Sequence, residues 1–328
     1  MPINLGIIGY GYTGRQHARA LARLDSFHLA GVAEVDPQKR ERAEVKTFED
    51  YRALLEDPTI GAVSVCLPHM LHEEVTLAAL QAGKHALVEK PLGISLEAGE
   101  RICRQARKSS RVLMVEMTHR FLRPLAEARK LIQADEVGEI MAITDRVIEG
   151  VGLLGPLPQW MLCQATAGGG VGLTSGIHLM DHVSWLSGQS LALDSACFGY
   201  SQKLGDVEDT AAFALHLANG APVHVLLCWR SGVDSFEGSL TIYGNKGTLW
   251  IEPWRGWKLE SSGGATREEI YFEGHLSIAE RALLGMTEAL SEFGEAIREG
   301  RPPNPAPEES MQSQRIIERA YQLKSNPE

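Results

Sequence analysis

Along its first third the chain alternates short apolar runs with amphipathic stretches, the pattern of βαβ units wrapped around a parallel sheet. Residues 3–8 read as a strand and 14–24 as a helix; 28–34 is a second strand, followed by a charged helix at 37–43. A short helix at 51–55, a buried strand at 62–66, a helix at 71–82 stopped by Gly83 and a strand at 85–88 come next. A helix at 96–109 and a strand at 112–115 close this series. Beyond about residue 120 the pattern changes. A helix at 124–133 precedes a strand at 140–148, and then an uncharged stretch rich in Gly and Pro runs over 150–180, with His178 counted as neutral. Long alternating strands follow at 210–217, 222–229, 239–243 and 248–251, the last two joined by the turn signal Gly244-Asn245-Lys246-Gly247. Two helices at 278–298 and 308–323 end the chain, linked by a Pro-rich segment at 301–307.

Composition narrows the class. A chain of 328 residues is long enough for two domains at roughly 150 residues each. With 44% hydrophobic residues it buries a core without metal or disulfide staples. The formal net charge of −10 argues against a general nucleic-acid or anionic-membrane partner. Five cysteines, at 66, 103, 163, 197 and 228, are odd in number and contain no CxxC, which points to reduced structural thiols and to no metal site. Met1 and Pro2 lead straight into an apolar strand with no basic leader, and the 150–180 stretch is broken by Pro156, Pro158, Gln159, Gln164 and the glycines at 168–170. No apolar helix of ~20 residues fits there, so a soluble, cytoplasmic protein is expected.

The chemistry-bearing segments sit at strand ends. Gly9-Tyr10-Gly11-Tyr12-Thr13-Gly14 matches GxGxxG between a strand and a helix, where a dinucleotide pyrophosphate approaches the backbone. Glu34 follows Gly14 by 20 residues at the end of the second strand, placed to accept ribose hydroxyls of NAD and to repel the 2′-phosphate of NADP. Asp36 competes for that role, although the Pro37 after it suits helix initiation. Cys66-Leu67-Pro68-His69-Met70-Leu71-His72 leaves another buried strand on the same side, so Leu67, Pro68, His69 and His72 face the cofactor or merely end the strand and begin a helix. Glu89-Lys90-Pro91 follows the next strand. Lys90 there is either a surface ion pair or a group that stabilises charge on a substrate oxygen. After Gly168, Gly169 and Gly170 come Thr174 and His178, spaced to share one helix face, with Asp181 three residues on. His178 is either a general base for an alcohol or a buried imidazole held by Asp181.

Taken together these segments resemble the Gfo/Idh/MocA family of oxidoreductases over nearly the whole chain. The residues that carry the resemblance are the glycine motif, Pro68-His69-Met70-Leu71-His72, the block from Ala82 through Glu89-Lys90-Pro91-Leu92, Arg120-Phe121, the triple glycine and Gly176-Ile177-His178-Leu179-Met180-Asp181. The resemblance implies an α/β chain: an N-terminal Rossmann doubly wound parallel sheet at 1–120, and a C-terminal α+β domain at 121–328 with a large, mostly antiparallel open sheet, whose last helix packs back on the first domain. It further implies NAD(P)-dependent oxidation of a secondary alcohol of a sugar or cyclitol, with Lys90 beside the nicotinamide and His178 as acid/base. Glu89 and Lys90 join Gly9, Gly11, Tyr12, Thr13, Gly14 and Glu34 on the cofactor side. Lys90, His119, Arg120, Trp160, Thr174 and His178 form the expected substrate side. One departure stands out: many catalytic members carry Asp where this chain has Thr174, so His178 lacks that carboxylate partner. A non-catalytic dinucleotide sensor and an NAD-dependent glycosidase are the alternative functions. The strands at 210–217 and 222–229 are apolar on both faces, which predicts a homodimer or homotetramer through the open sheet.

Overall fold

The computed structural model describes residues 1–151, 157–233, 235–272 and 276–325; Pro156 of the uncharged stretch lies outside them. Compactness divides the chain into two units. The first holds Met1–Thr118 and Leu283–Met311, the second His119–Ala282 and Gln312–Glu328.

In the first unit the elements run β1 (Ile3–Ile8), α1 (Tyr12–Leu21), β2 (Phe27–Ala33), α2 (Pro37–Arg40), β3 (Thr47–Phe48), α3 (Tyr51–Glu56), β4 (Ala62–Val65), α4 (His72–Gln81), β5 (His85–Glu89), α5 (Leu96–Ser109) and β6 (Leu113–Glu116). The strands form a parallel sheet in the order β3-β2-β1-β4-β5-β6, the doubly wound order that reverses between β1 and β4. Helices on both faces explain why β1, β4 and β5 are almost continuously apolar: Leu5, Ile7, Ala62, Val63, Val65, Ala86, Leu87 and Val88 are all buried.

The second unit contains α6 (Arg123–Gln133), β7 (Ile140–Gly150), α7 (Gln164–Ala167), α8 (Val171–Thr174), α9 (Gly176–Ser187), β8 (Leu191–Gly199), β9 (Thr210–Leu217), β10 (Pro222–Arg230), β11 (Phe236–Gly244), β12 (Gly247–Glu252), β13 (Gly256–Ser261) and β14 (Thr266–Ile270). Its sheet runs β14-β13-β12-β11-β7-β10-β9-β8, antiparallel throughout except where β7 lies parallel to β10. Helices α6, α8 and α9 pack against one face. That face carries Ile143, Val147, Phe213, Leu215, Val223, Val225, Leu227, Leu240 and Ile242, all buried. The alternate residues Thr144, Arg146, His224 and Leu226 point away from the helices and are exposed.

Two long helices follow, α10 (Ile278–Glu299) and α11 (Pro307–Ser325). Most of α10 and the start of α11, the last helix, join the first unit, while α11 from Gln312 belongs to the second. Phe293 of α10 stacks on Phe27 at 6.3 Å, and Gly294 lies so close that a Cβ would sit 2.8 Å from the Phe27 ring. Among the described residues no helix is long and apolar enough to cross a membrane.

Candidate active site

A parallel sheet delivers the carboxyl ends of its strands to one edge. In the first unit that edge carries the glycine loop after β1, Glu34 after β2, Leu67 and Pro68 after β4, and Glu89 and Lys90 at the end of β5. Gly9 has φ of +91°, and a Cβ there would lie 2.3 Å from the Cys66 carbonyl oxygen. At Gly14 a Cβ would lie 2.0 Å from the Gly9 carbonyl oxygen, so only glycine lets α1 come this close to the loop. Gly11 differs. A Cβ there meets nothing within 4 Å, leaving that backbone open beside the first-turn amides of α1, Tyr12 and Thr13 among them.

The Glu34 carboxylate is held against this loop. One oxygen accepts the Tyr10 amide at 2.8 Å and the other the Asp36 amide at 3.0 Å. Each carboxylate oxygen keeps a further lone pair for a ribose hydroxyl. Asp36 does not compete, because its side chain caps α2 by accepting the Gln38 amide at 2.9 Å. An open glycine turn, a helix N-terminus and an oriented carboxylate fit the pyrophosphate and adenosine ribose of a dinucleotide.

His72 is placed differently from the expectation. It is fully buried, with Nδ1 at 2.7 Å from the Pro91 carbonyl and Nε2 at 2.8 Å from the Leu67 carbonyl. Burial lowers its pKa, and its two ring nitrogens face the carbonyls of two different loops. His69 is buried beside it, ring centroids 5.6 Å apart. Lys90 is half-buried and its peptide to Pro91 is cis. The Lys90 amide donates to Glu89 at 3.3 Å, and the other Glu89 oxygen lies 3.3 Å from Nε2 of buried His17, whose Nδ1 meets the Ser64 hydroxyl at 2.8 Å. Burial alone would pull His17 down, but Cys66, Glu89 and Glu116 outweigh it and hold the imidazole well above its ordinary pKa.

In the second unit the expected single helix through Thr174 and His178 is two helices. Thr174 ends α8, Ser175 intervenes, and His178 lies in the first turn of α9. The Ser175 hydroxyl donates to Glu149 at 2.6 Å, which also accepts the Trp229 indole N–H at 2.8 Å, so the junction is anchored to the sheet. The triple glycine is packed, not loose. Buried Glu208 accepts the amides of Gly170 and Gly172 at 3.0 and 2.9 Å and the Tyr321 hydroxyl at 2.6 Å; a Cβ on Gly170 would lie 2.0 Å from the Glu208 carbonyl oxygen.

Arg120, expected on the substrate side, sits in a buried ion pair. Its guanidinium makes a bidentate pair with Asp181 at 2.8 and 2.6 Å, and both side chains are buried. Asp181 is therefore a partner for Arg120. Trp160 sits half-buried on the separate short turn Gln159–Leu162, where its carbonyl accepts the Thr166 hydroxyl at 2.6 Å.

What the structure does bring together is a histidine cluster. The His119 ring lies flat on His178, centroids 3.9 Å apart and planes 11° from parallel, with Trp254 edge-on to His119 at 5.1 Å. His119 Nδ1 is 2.9 Å from His182 Nε2, and His182 Nδ1 is 2.9 Å from an Asp145 carboxylate oxygen. Sequence reasoning passed over His182 and Asp145. His182 was detectable as the residue four on from His178, and Asp145 as the charge at an inward position between Ile143 and Val147.

Residues 3–117 match a family described as an oxidoreductase family with an NAD-binding Rossmann fold, and residues 125–250 match the GFO/IDH/MocA C-terminal domain. The chain is 27% identical over 316 residues to the myo-inositol 2-dehydrogenase of Thermotoga maritima, covering 92% of this chain and 90% of the relative. It is 28% identical over 262 residues to the D-glucoside 3-dehydrogenase of Escherichia coli, covering 76% of this chain and 70% of the relative. A solved structure of levoglucosan dehydrogenase in complex with NADH and levoglucosan has the same fold, with a TM-score of 0.86 at 21% identity over 99% of this chain and 98% of that one.

Proposed function

Since the chain belongs to the Gfo/Idh/MocA oxidoreductase family, we propose that it is an NAD-dependent dehydrogenase that oxidises a secondary alcohol of a sugar, sugar derivative or cyclitol to the ketone. The observation that carries this reading is the pairing on one chain of a dinucleotide cradle with a stacked imidazole cluster. The myo-inositol, glucoside and levoglucosan dehydrogenases among its relatives support a polyhydroxylated ring as substrate.

The chemistry NAD supplies when bound is acceptance of the hydride from the substrate C–H. The residues do the rest. Gly9, Gly11, Tyr12, Thr13 and Gly14 receive the pyrophosphate and Glu34 the adenosine ribose, while Leu67, Pro68 and His69 border the cofactor on the next strand ends. Lys90 hydrogen-bonds the alcohol oxygen and stabilises the negative charge that grows there. His178 takes the hydroxyl proton, and returns it in the reverse direction. Thr174, His119 and Trp160 contribute to the substrate side. Preference for NAD over NADP follows from Glu34, since a carboxylate facing a 2′-phosphate is repelled by a few kcal/mol at an effective dielectric of about 20. The nearby cation Arg40 does not relieve this, because it donates to the Glu34 and Val35 carbonyls at 2.7 and 2.8 Å.

A homodimer or homotetramer through the open sheet face completes the proposal. That face holds a concavity of about 830 Å³ lined by Thr144, Arg146, Ala212, Ala214, His224 and Leu226. Its half-buried alanines and exposed Leu226 suit a second copy.

The test is NADH formation at 340 nm across inositols, aldoses, uronates, glycosides and nucleotide sugars, repeated with Lys90→Ala. Turnover of at least one polyol is expected, and Lys90→Ala should lower kcat by about 10²-fold with NAD affinity unchanged. NAD binding without turnover of any compound refutes the dehydrogenase in favour of a sensor. Release of a free sugar with no net NADH refutes it in favour of a glycosidase.

A further inference from the structure

Asp145 is a carboxylate in an apolar sheet face. It is 2% exposed, its cross-strand neighbours are Val225 and Leu240, and Ile143 and Val147 flank it on its own strand. A carboxylate so buried is retained only with donors to hold it, and His182, itself 1% exposed, supplies one at 2.9 Å. The donor pattern fixes the rest of the chain of contacts. An ionised carboxylate only accepts, so His182 carries its proton on Nδ1 and, when neutral, accepts on Nε2. His119 must then donate from Nδ1 across the 2.9 Å contact, which leaves its Nε2 as the basic nitrogen. The line runs inward from a half-buried ring to a fully buried anion, built from the turn before α6, from α9 and from β7.

We propose that Asp145 and His182 are positioning residues that make His119 a second acid–base group beside His178, supplying through two imidazoles the carboxylate that Thr174 does not. The proposal deepens the dehydrogenase reading and rests on it. In alcohol oxidation through this second group the O–H bond breaks, its electron pair stays on oxygen to form the C=O bond as hydride leaves carbon for NAD, and the proton bonds to His119 Nε2 in place of His178. The proton on His119 Nδ1 passes to His182 Nε2, so the positive charge comes to rest beside Asp145. Ketone reduction runs the same transfers backwards. Moving the charge inward also keeps it out of the stack, where two parallel rings 3.9 Å apart resist a second proton.

Among the described residues, the titratable groups against His119 include His178 and His182 from α9, with Asp145 behind them on β7; Arg120 on its own turn is paired with Asp181. Burial pushes the Asp145 pKa up, and the His182 charge and hydrogen bond oppose this.

The test uses full-length protein with NAD bound. Imidazole ¹⁵N shifts of His119 and His182 are followed against pH in the wild type, Asp145→Asn, Asp145→Glu and His182→Gln. Neutral His119 should carry its proton on Nδ1, and Asp145→Asn should lower the titration of the His119–His182 pair by about one pH unit, with Asp145→Glu restoring part of it. On a polyol that the wild type oxidises, Asp145→Asn should reduce kcat 10- to 100-fold without changing NAD affinity. It should also move the rising limb of kcat against pH to lower pH. A wild-type His119 protonated on Nε2 overturns the proposal without any variant, as does an unchanged kcat–pH profile in Asp145→Asn. Absence of wild-type turnover on every polyol sinks the dehydrogenase reading instead, and the ring-nitrogen shifts still decide whether Asp145 sets the His119 tautomer.

Discussion

Glu116→Gln should stabilise the first unit at neutral and alkaline pH. Glu116 ends β6 with no exposed surface; one oxygen accepts the Thr118 hydroxyl at 3.1 Å and the other has no hydrogen-bond partner among the described residues. Burial pushes its pKa up to about 7 from the ordinary 4.5, with the Glu89 carboxylate adding to the rise and His17 opposing it. Between these two values the folded chain holds a proton that the unfolded chain has released, so stability falls as pH rises through that window. A gap of about 2.5 pH units corresponds to about 3 kcal/mol lost by pH 8. His17 has the same sign, since a raised imidazole contributes fully below its ordinary value and loses that contribution as pH climbs through the folded one. Glutamine keeps an acceptor for Thr118 and removes the titrating group, so the variant should gain at pH 8, gain little at pH 5 and show a shallower slope between. All six tryptophans lie in the second unit and are blind to this change. Hydrogen exchange of the β5 and β6 amides, corrected for intrinsic rates, is the assay. Wild-type protection that is flat or rising from pH 5 to 8 would refute the reasoning, as would an equal slope in the variant.

Other substitutions probe the remaining assignments. Glu34→Ser should raise NADP affinity at least tenfold relative to NAD in calorimetric titration, because the repelling carboxylate is gone while the glycine loop is untouched. Arg120→Met leaves the Asp181 carboxylate buried and unpaired, which should cost about 3–5 kcal/mol in chemical denaturation followed by tryptophan fluorescence; adding Asp181→Leu should recover much of it. Leu226→Asp places a charge on the open sheet face and should convert the proposed oligomer to monomer in light scattering at micromolar concentration, with NAD binding retained.

The parts of the fold legible in the sequence are those whose burial is complete. β1, β4 and β5 are covered on both faces and so appear as unbroken apolar runs, and the glycine spacing marks the turn after β1 directly. β8, β13 and β14 escaped notice because they lie at or near the sheet edges. β14 is Thr-Arg-Glu-Glu-Ile, exposed for four of its five residues, and β8 has no fully buried residue. Hydrophobic alternation fades where neither face is sealed. At the candidate site, strand-end position marks Glu34 and Lys90 as candidates, but pairings across long sequence separations are invisible to local pattern. Arg120 finds Asp181 61 residues away, and Asp145 finds His182 37 residues away. The break at Ser175 depends likewise on Glu149, a residue of the sheet that no helical periodicity could reveal.

His72 has a mechanical consequence. Its neutral ring spans from the Leu67 carbonyl to the Pro91 carbonyl as a single crossbar, and a neutral imidazole carries one N–H for those two acceptors. The ring thus hydrogen-bonds one of these carbonyls and packs against the other, so the loop after β4 and the loop bearing Lys90 share one buried spacer, although 19 residues separate His72 from Pro91. A length change in either loop alone would wrench the lysine out of register. Loop grafting at this edge must transplant both segments and the imidazole as one cassette.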